Sequence, residues 1–175
     1  MLKGLNKPTG SLASLAAEVK SDDASNREAV AAREYWNRLF NHGFIRDRFG
    51  VPPNQFLNYG YIVLRAAVAR ALTGSGLLPT LGIHHRNRYN AYCLADDIME
   101  PYRPYVDQAV HQLWESGNDE LILAKETKAY LLNVLTCDVC IGVVKRPLMV
   151  ALSHTTASLA RCYSGEEKKV LYPEF

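Results

Sequence analysis

The chain has 175 residues, 48% of them hydrophobic and 22% charged, with a net charge of +2 and a pI near 8.3. That length suits one domain with a sizeable core, and the composition excludes a disordered, collagenous or disulfide-stapled chain. So small a net charge does not by itself indicate a nucleic-acid partner, though it leaves room for a local basic face.

Four cysteines in a chain this long make no disulfide framework, so the expected compartment is the cytoplasm. No uncharged apolar run reaches the roughly 18 residues of a membrane span, and no membrane partner is expected. The opening MLKGLNKPTG carries lysines but no apolar core of a secretory signal.

In chain order the pattern is helix after helix. Residues 11–20 are a short amphipathic stretch rich in Ala and Leu. Residues 28–40 (EAVAAREYWNRLF) put Val30, Ala31, Tyr35 and Leu39 at helical spacing, with Ser25 or Asn26 suited to cap the start. Residues 41–55 hold Gly43, Gly50, Pro52 and Pro53 and read as a loop. Residues 56–73 are apolar and nearly free of charge apart from Arg65 and Arg70, which predicts a central, mostly buried helix ended by Gly74, Gly76 and Pro79.

Residues 82–90 read as a turn entering a helix near Tyr92, which Pro101 and Pro104 interrupt or kink. Helical periodicity resumes over 105–114. A further helix is expected from Glu120 to about Cys140, and another over 147–163 with Pro147 in its first turn. Strand signals are weak everywhere, and there is no internal repeat or low-complexity tract. The expected fold class is all-α, a single multi-helix domain. Residues 1–24 are expected to be a connector with a first short helix, 25–165 the helical body, and 166–175 a C-terminal tail.

The chemistry concentrates in residues 81–107, LGIHHRNRYNAYCLADDIMEPYRPYVD. Asp97 and Glu100 are three residues apart and share a helix face, where two carboxylates repel unless a cation lies between them. The plainer reading is an acidic turn that helps start a helix. His84 and His85 add imidazole, a common metal ligand when neutral, against the alternative of histidines bonded to the backbone. Imidazole plus carboxylates without thiolate favours magnesium or manganese over structural zinc. Arg86, Arg88 and Arg103 lie beside these acids, with Lys145 and Arg146 further off, and Tyr89, Tyr92, Tyr102 and Tyr105 interleave. That mixture suits phosphate contact and base stacking, or simply solvated loops.

Other motifs carry less. Cys137 and Cys140 form a lone C-x-x-C without a second pair, and the cysteines read as small core hydrophobes. Residues 153–156 (SHTT) read as a helix face packing small hydroxyls, not a nucleophile set. Gly74-Ser75-Gly76 lacks the lysine and spacing of a phosphate loop.

The segments LNYGYIVLRAAVARAL, SGLLPTLGIHHRNRYNAYCLADDIMEPYRPYVD and KRPLMVALSHTTASLARCYSGE resemble the helical C-terminal domain of the CRISPR-associated spacer-acquisition integrase and endonuclease family, in its type II-like form. The resemblance covers about residues 19–175. It implies one divalent ion, Mg2+ or Mn2+, held by a glutamate, a histidine and an aspartate. The E-G-x-A-A-x-x-Y-[FW] motif reads EAVAAREYW here and places the glutamate at Glu28, with Ala29 for the usual glycine. Glu34 falls on a variable position and is expected to be solvated. The histidine follows L-G-[FI]-x and matches His85; the aspartate heads D-[IL]-M-E and matches Asp97, with Asp96 and Glu100 as neighbours.

The resemblance further implies a catalytic role for Glu28, His85 and Asp97, and a transesterification in which a DNA 3′-hydroxyl attacks a phosphodiester at a repeat edge. The implied partners are double-stranded DNA (spacer precursor and CRISPR repeat), a small ferredoxin-like second adaptation subunit, and a second copy in a homodimer. From charge and proximity alone, Arg86, Arg88 and Arg103 are expected to track the DNA backbone. Family members begin with a β-rich domain that this sequence does not show, so the chain alone is expected to integrate poorly. The alternative is a catalytically inactive fragment that binds DNA or a partner.

Overall fold

The structure, a computed structural model, describes residues 1–19, 26–41, 43–117 and 122–174. Lys20, Ser25, Glu120 and Phe175, which bound or begin expected segments, lie outside the described residues, as does the boundary between 24 and 25.

Seven helices make up most of the described chain. They are α1 (Leu12–Glu18), α2 (Arg27–Leu39), α3 (Asn54–Gly74), α4 (Cys93–Met99), α5 (Arg103–Glu115), α6 (Lys125–Leu132) and α7 (Leu148–Tyr163). The axis is α3, as its apolar periodicity predicts. Leu57, Gly60, Leu64, Val68 and Leu72 follow one another at three or four residues and are all buried. Against that face pack α4, α5, α6 and α7. At Gly60 α5 comes close: a Cβ there would stand 2.5 Å from Val106 Cγ1. Full burial of Phe56, Leu64 and Leu72 contributes about 1.5–3 kcal/mol each.

Pro101 and Pro104 do what their rings require. The chain leaves α4 through a 3-10 turn over Glu100–Tyr102 and restarts as α5, so both prolines fall in first turns, where the missing N–H costs nothing. Val139, Ile141 and Val144, however, form strands. The helix expected to reach Cys140 stops at Leu132, passes through a 3-10 turn over Asn133–Thr136, and becomes β1 (Asp138–Ile141). β1 turns back through Gly142 and Val143 into β2 (Val144–Pro147), with Ile141 opposite Val144. A positive φ at Gly142 alone fits the two-residue hairpin turn that begins with glycine. β3 (Pro173–Glu174) pairs antiparallel on the other edge of β1, giving the order β2-β1-β3. The fold is mainly helical, as expected, with this small sheet added where the strand signals are weak.

The tail therefore does not simply trail. Leu171 donates its N–H to Ser158 Oγ at 2.8 Å and accepts Thr155 Oγ1 at 2.7 Å, and Tyr105 Oη donates to the Glu174 carbonyl at 3.0 Å. Thr155 and Thr156 are buried, so the SHTT segment is the hydroxyl-packing face expected of it.

Two expectations near the N-terminus need correction. Asn26 occupies the cap position of α2 but sits in the left-handed region, and its side chain makes no capping bond. Glu34 is not merely solvated. It accepts the Ser11 N–H at 3.0 Å and the Ser11 hydroxyl, and pairs with Arg38 at 2.7 Å, tying the start of α1 to α2.

Candidate active site

The site forms where the loop 79–92 folds over the start of α4. Pro79 anchors that loop, its carbonyl accepting the N–H of Leu94 at 2.8 Å and of Ala95 at 3.3 Å. Asn87 and Asn90 each accept the N–H two residues on, at Tyr89 and Tyr92, the side-chain turn that asparagine makes readily. Gly82 permits a close approach. A Cβ there would lie 2.2 Å from the His85 carbonyl and 3.2 Å from Asp97 Oδ2.

The loop closes on Asp97. Asp97 Oδ2 accepts the N–H groups of Ile83 at 2.6 Å and His84 at 3.0 Å, while Oδ1 accepts that of His85 at 3.1 Å and bonds His85 Nδ1 at 2.6 Å. Desolvation pushes this carboxyl up. The backbone N–H groups and the imidazole outweigh it and hold Asp97 below the usual carboxylate range. An ionised carboxylate only accepts, so the proton between the pair resides on His85 Nδ1. That leaves Nε2 as the ring nitrogen facing any ligand, the arrangement in which a carboxylate orients a metal-binding histidine. His84 is exposed and meets His85 edge-on, with ring centroids 5.6 Å apart.

His85 opens on a cleft of about 620 Å³ lined also by Arg46, Arg48, Tyr61, Arg65 and Arg103. Of the arginines singled out from sequence, only Arg103 lines it. Arg86 and Arg88 are exposed elsewhere on the loop, and Arg88 covers the Tyr89 ring at 4.6 Å. Sequence reasoning missed Arg46 and Arg48 because they lie in what reads as a plain loop. The loop is in fact clamped by α3. Arg46 donates to Asn54 Oδ1 at 3.1 Å and Asn58 Oδ1 at 2.7 Å, and Asn58 Nδ2 donates to the Arg48 carbonyl at 2.7 Å. Asn58, Tyr61 and Arg65 follow at helical spacing along α3, a polar stripe on an apolar helix that could have been read. Asp96 accepts Asn90 Nδ2 at 2.6 Å and lies 3.9 Å from Arg65; Glu100 binds Arg103 through both oxygens, at 2.9 and 3.1 Å.

Beneath the cleft lies Asp107, which the sequence did not single out. It is 3% exposed and accepts Tyr35 Oη at 2.6 Å on Oδ2 and Tyr61 Oη on Oδ1, joining α2, α3 and α5. Burial drives its carboxyl up to about 6, although the two phenols and the Arg103 and Arg46 charges oppose the rise.

Glu28 lies in the first turn of α2 and is exposed. Among the described residues no three His, Cys, Asp or Glu side chains stand close enough together to hold a metal ion. The structure thus brings His85 to Asp97 but does not bring Glu28 to the pair. The donor types suit a hard divalent cation; Asp97 already accepts four hydrogen bonds from its own loop, and among the described residues no third donor stands beside the pair. Cys137 and Cys140 are free and half-buried on and beside β1. Among the described residues no helix is long and apolar enough to cross a membrane.

A family model described as "CRISPR associated protein Cas1" matches residues 3–133. The chain belongs to the Cas1 family. The match begins at residue 3, upstream of the expected start near residue 19, so it takes in α1. The CRISPR-associated endonuclease Cas1 of Neisseria meningitidis serogroup C (strain 8013) is 45% identical over 160 residues, 91% of this chain and 52% of that protein. CRISPR-associated endonuclease Cas1 1 of Pyrobaculum aerophilum is 33% identical over 132 residues, 73% of this chain and 44% of that one. The solved structure "Casposase bound to integration product" shares the fold, with a TM-score of 0.74 at 23% identity over 88% of this chain and 51% of that chain. The chain spans about half the length of the curated Cas1 relatives it matches.

Proposed function

We propose that this Cas1-family chain is the catalytic portion of a metal-dependent DNA integrase and endonuclease, one that inserts spacer DNA into a CRISPR array by 3′-hydroxyl attack. The observation that supports this most is the locked pair of His85 and Asp97 at the edge of an arginine-lined cleft. In the reaction a new bond forms between the attacking 3′ oxygen and phosphorus, an existing P–O bond breaks, and the proton given up by the attacking hydroxyl is matched by one taken up at the leaving oxygen. A bound magnesium or manganese ion would neutralise the phosphate and acidify the attacking hydroxyl.

The chain's own residues position and screen. Arg103, Arg65 and Arg46 hold phosphate oxygens, and charge-assisted bonds from guanidinium suit that anion. Asp97 fixes the tautomer of His85 and turns Nε2 outward. Glu28, His85 and Asp97 would hold the ion, and the partners of the reaction would be duplex DNA, the small ferredoxin-like subunit and a second copy of the chain.

The test joins a short labelled duplex to a supercoiled plasmid in the presence of manganese. Labelled relaxed circles are expected, in low yield with this chain alone, and none with Glu28→Ala, His85→Ala or Asp97→Ala. Joining by His85→Ala at the wild-type rate rejects the proposal. A second reading, a DNA-binding module without catalysis, draws on the separation of Glu28 from the pair. It requires duplex binding with no joined product in any metal.

A further inference from the structure

Tyr61 joins the buried Asp107 to the cleft. Its hydroxyl donates to Asp107 Oδ1 inside the helical body. Its ring faces the cleft and carries the Arg103 guanidinium at 4.4 Å and the Arg46 guanidinium at 5.7 Å from the ring centroid. Both distances lie within the reach of a cation–π attraction. Burial, reinforced by the Asp107 charge, pushes the Tyr61 phenol well above its ordinary value, so at any working pH it donates. Arg103 is held from a second side by Glu100, and Arg46 by Asn54 and Asn58. A long guanidinium stem has many rotamers, and holding two of them over one anchored ring removes that freedom before a ligand arrives.

We infer that Tyr61 is a positioning residue, anchored by Asp107, that sets Arg103 and Arg46 for the phosphates of a nucleic-acid backbone. This rests on the DNA reading of the cleft. Tyr35 provides the internal control: it occupies the other oxygen of the same carboxylate, yet lies outside the cleft.

The experiment measures binding of a short fluorescein-labelled DNA duplex by anisotropy across a salt series, with the full 175-residue chain. Removing one phosphate-neutralising cation lowers the slope of log affinity against log salt by about one. Arg103→Ala is expected to lower it so. Tyr61→Phe, which keeps the ring and removes its anchor, is expected to lower it in the same direction, and to add a smaller decrease in an Arg103→Ala background, where only Arg46 is left for the ring to position. Tyr35→Phe is expected to lower the melting temperature while keeping the wild-type slope. An unchanged slope in Tyr61→Phe, or equal decreases in Tyr35→Phe and Tyr61→Phe, overturns the inference. If Arg103→Ala moves the slope and Tyr61→Phe does not, only the positioning role fails. If Arg103→Ala also leaves it unmoved, the phosphate reading of the cleft fails and the inference with it. Should Tyr61→Phe not fold, Asp107→Asn loosens the same anchor and is held to the same slope.

Discussion

Asp97 and Asp107 show how one residue type acquires opposite acid–base character from its surroundings. Asp97 is held below its ordinary value by three backbone N–H groups and an imidazole, against the pull of desolvation. Its contribution to stability is therefore present above pH 3.8 and lost as pH falls through its lowered value. Asp107 is raised to about 6 by burial. Its contribution is complete below its ordinary 3.8 and lost as pH rises through about 6, by roughly 3 kcal/mol in all. Melting curves of wild type, Asp97→Asn and Asp107→Asn from pH 2 to 7 check this. The Asp97→Asn deficit is expected to shrink toward acid. The Asp107→Asn variant is expected to gain on the wild type as pH rises; a constant offset contradicts the assignment. Gly82→Ala tests the same loop sterically. A methyl 2.2 Å from the His85 carbonyl displaces the loop, and a cost of about 1–3 kcal/mol with loss of DNA joining is expected.

At the scale of elements, what the sequence made legible depended on the reach of its signals. α3 and α7 carry long apolar periodicities and were readable; the break between α4 and α5 was readable because proline cannot continue a helix there. The hairpin was missed because four-residue strands give hardly one alternation, although Val139 and Ile141 before Gly142, with Val143 and Val144 after it, is a recognisable two-residue turn between β-branched residues. Its turn can be tested directly. At Gly142 the nearest atom to an added Cβ is Leu171 Cδ1 at 4.0 Å, so space is not limiting, and Gly142→Val is expected to cost about 1–2 kcal/mol through its positive φ alone. Chemical denaturation reads that value; a neutral substitution contradicts the turn. The pair of His85 and Asp97 was legible because loop and helix adjoin in sequence. The anchor of Tyr35, Tyr61 and Asp107 was not, since its members come from α2, α3 and α5 and meet only through packing.

At the scale of the whole molecule, a net charge of +2 conceals a local concentration of guanidinium. The arginine-lined cleft collects Arg46, Arg48, Arg65 and Arg103 beside His85, against Asp96 and Glu100. Such a site draws in polyanions without making the whole protein basic. The chain belongs to the Cas1 family and spans about half the length of its curated relatives. In the proposed function, His85, Asp97 and Glu28 bind one cation. Titration of the chain with manganese, followed by electron paramagnetic resonance of the free ion, decides it. One ion bound per chain, lost in each of His85→Ala, Asp97→Ala and Glu28→Ala, is the expected result. No binding by the wild type, or undiminished binding by His85→Ala, would contradict it.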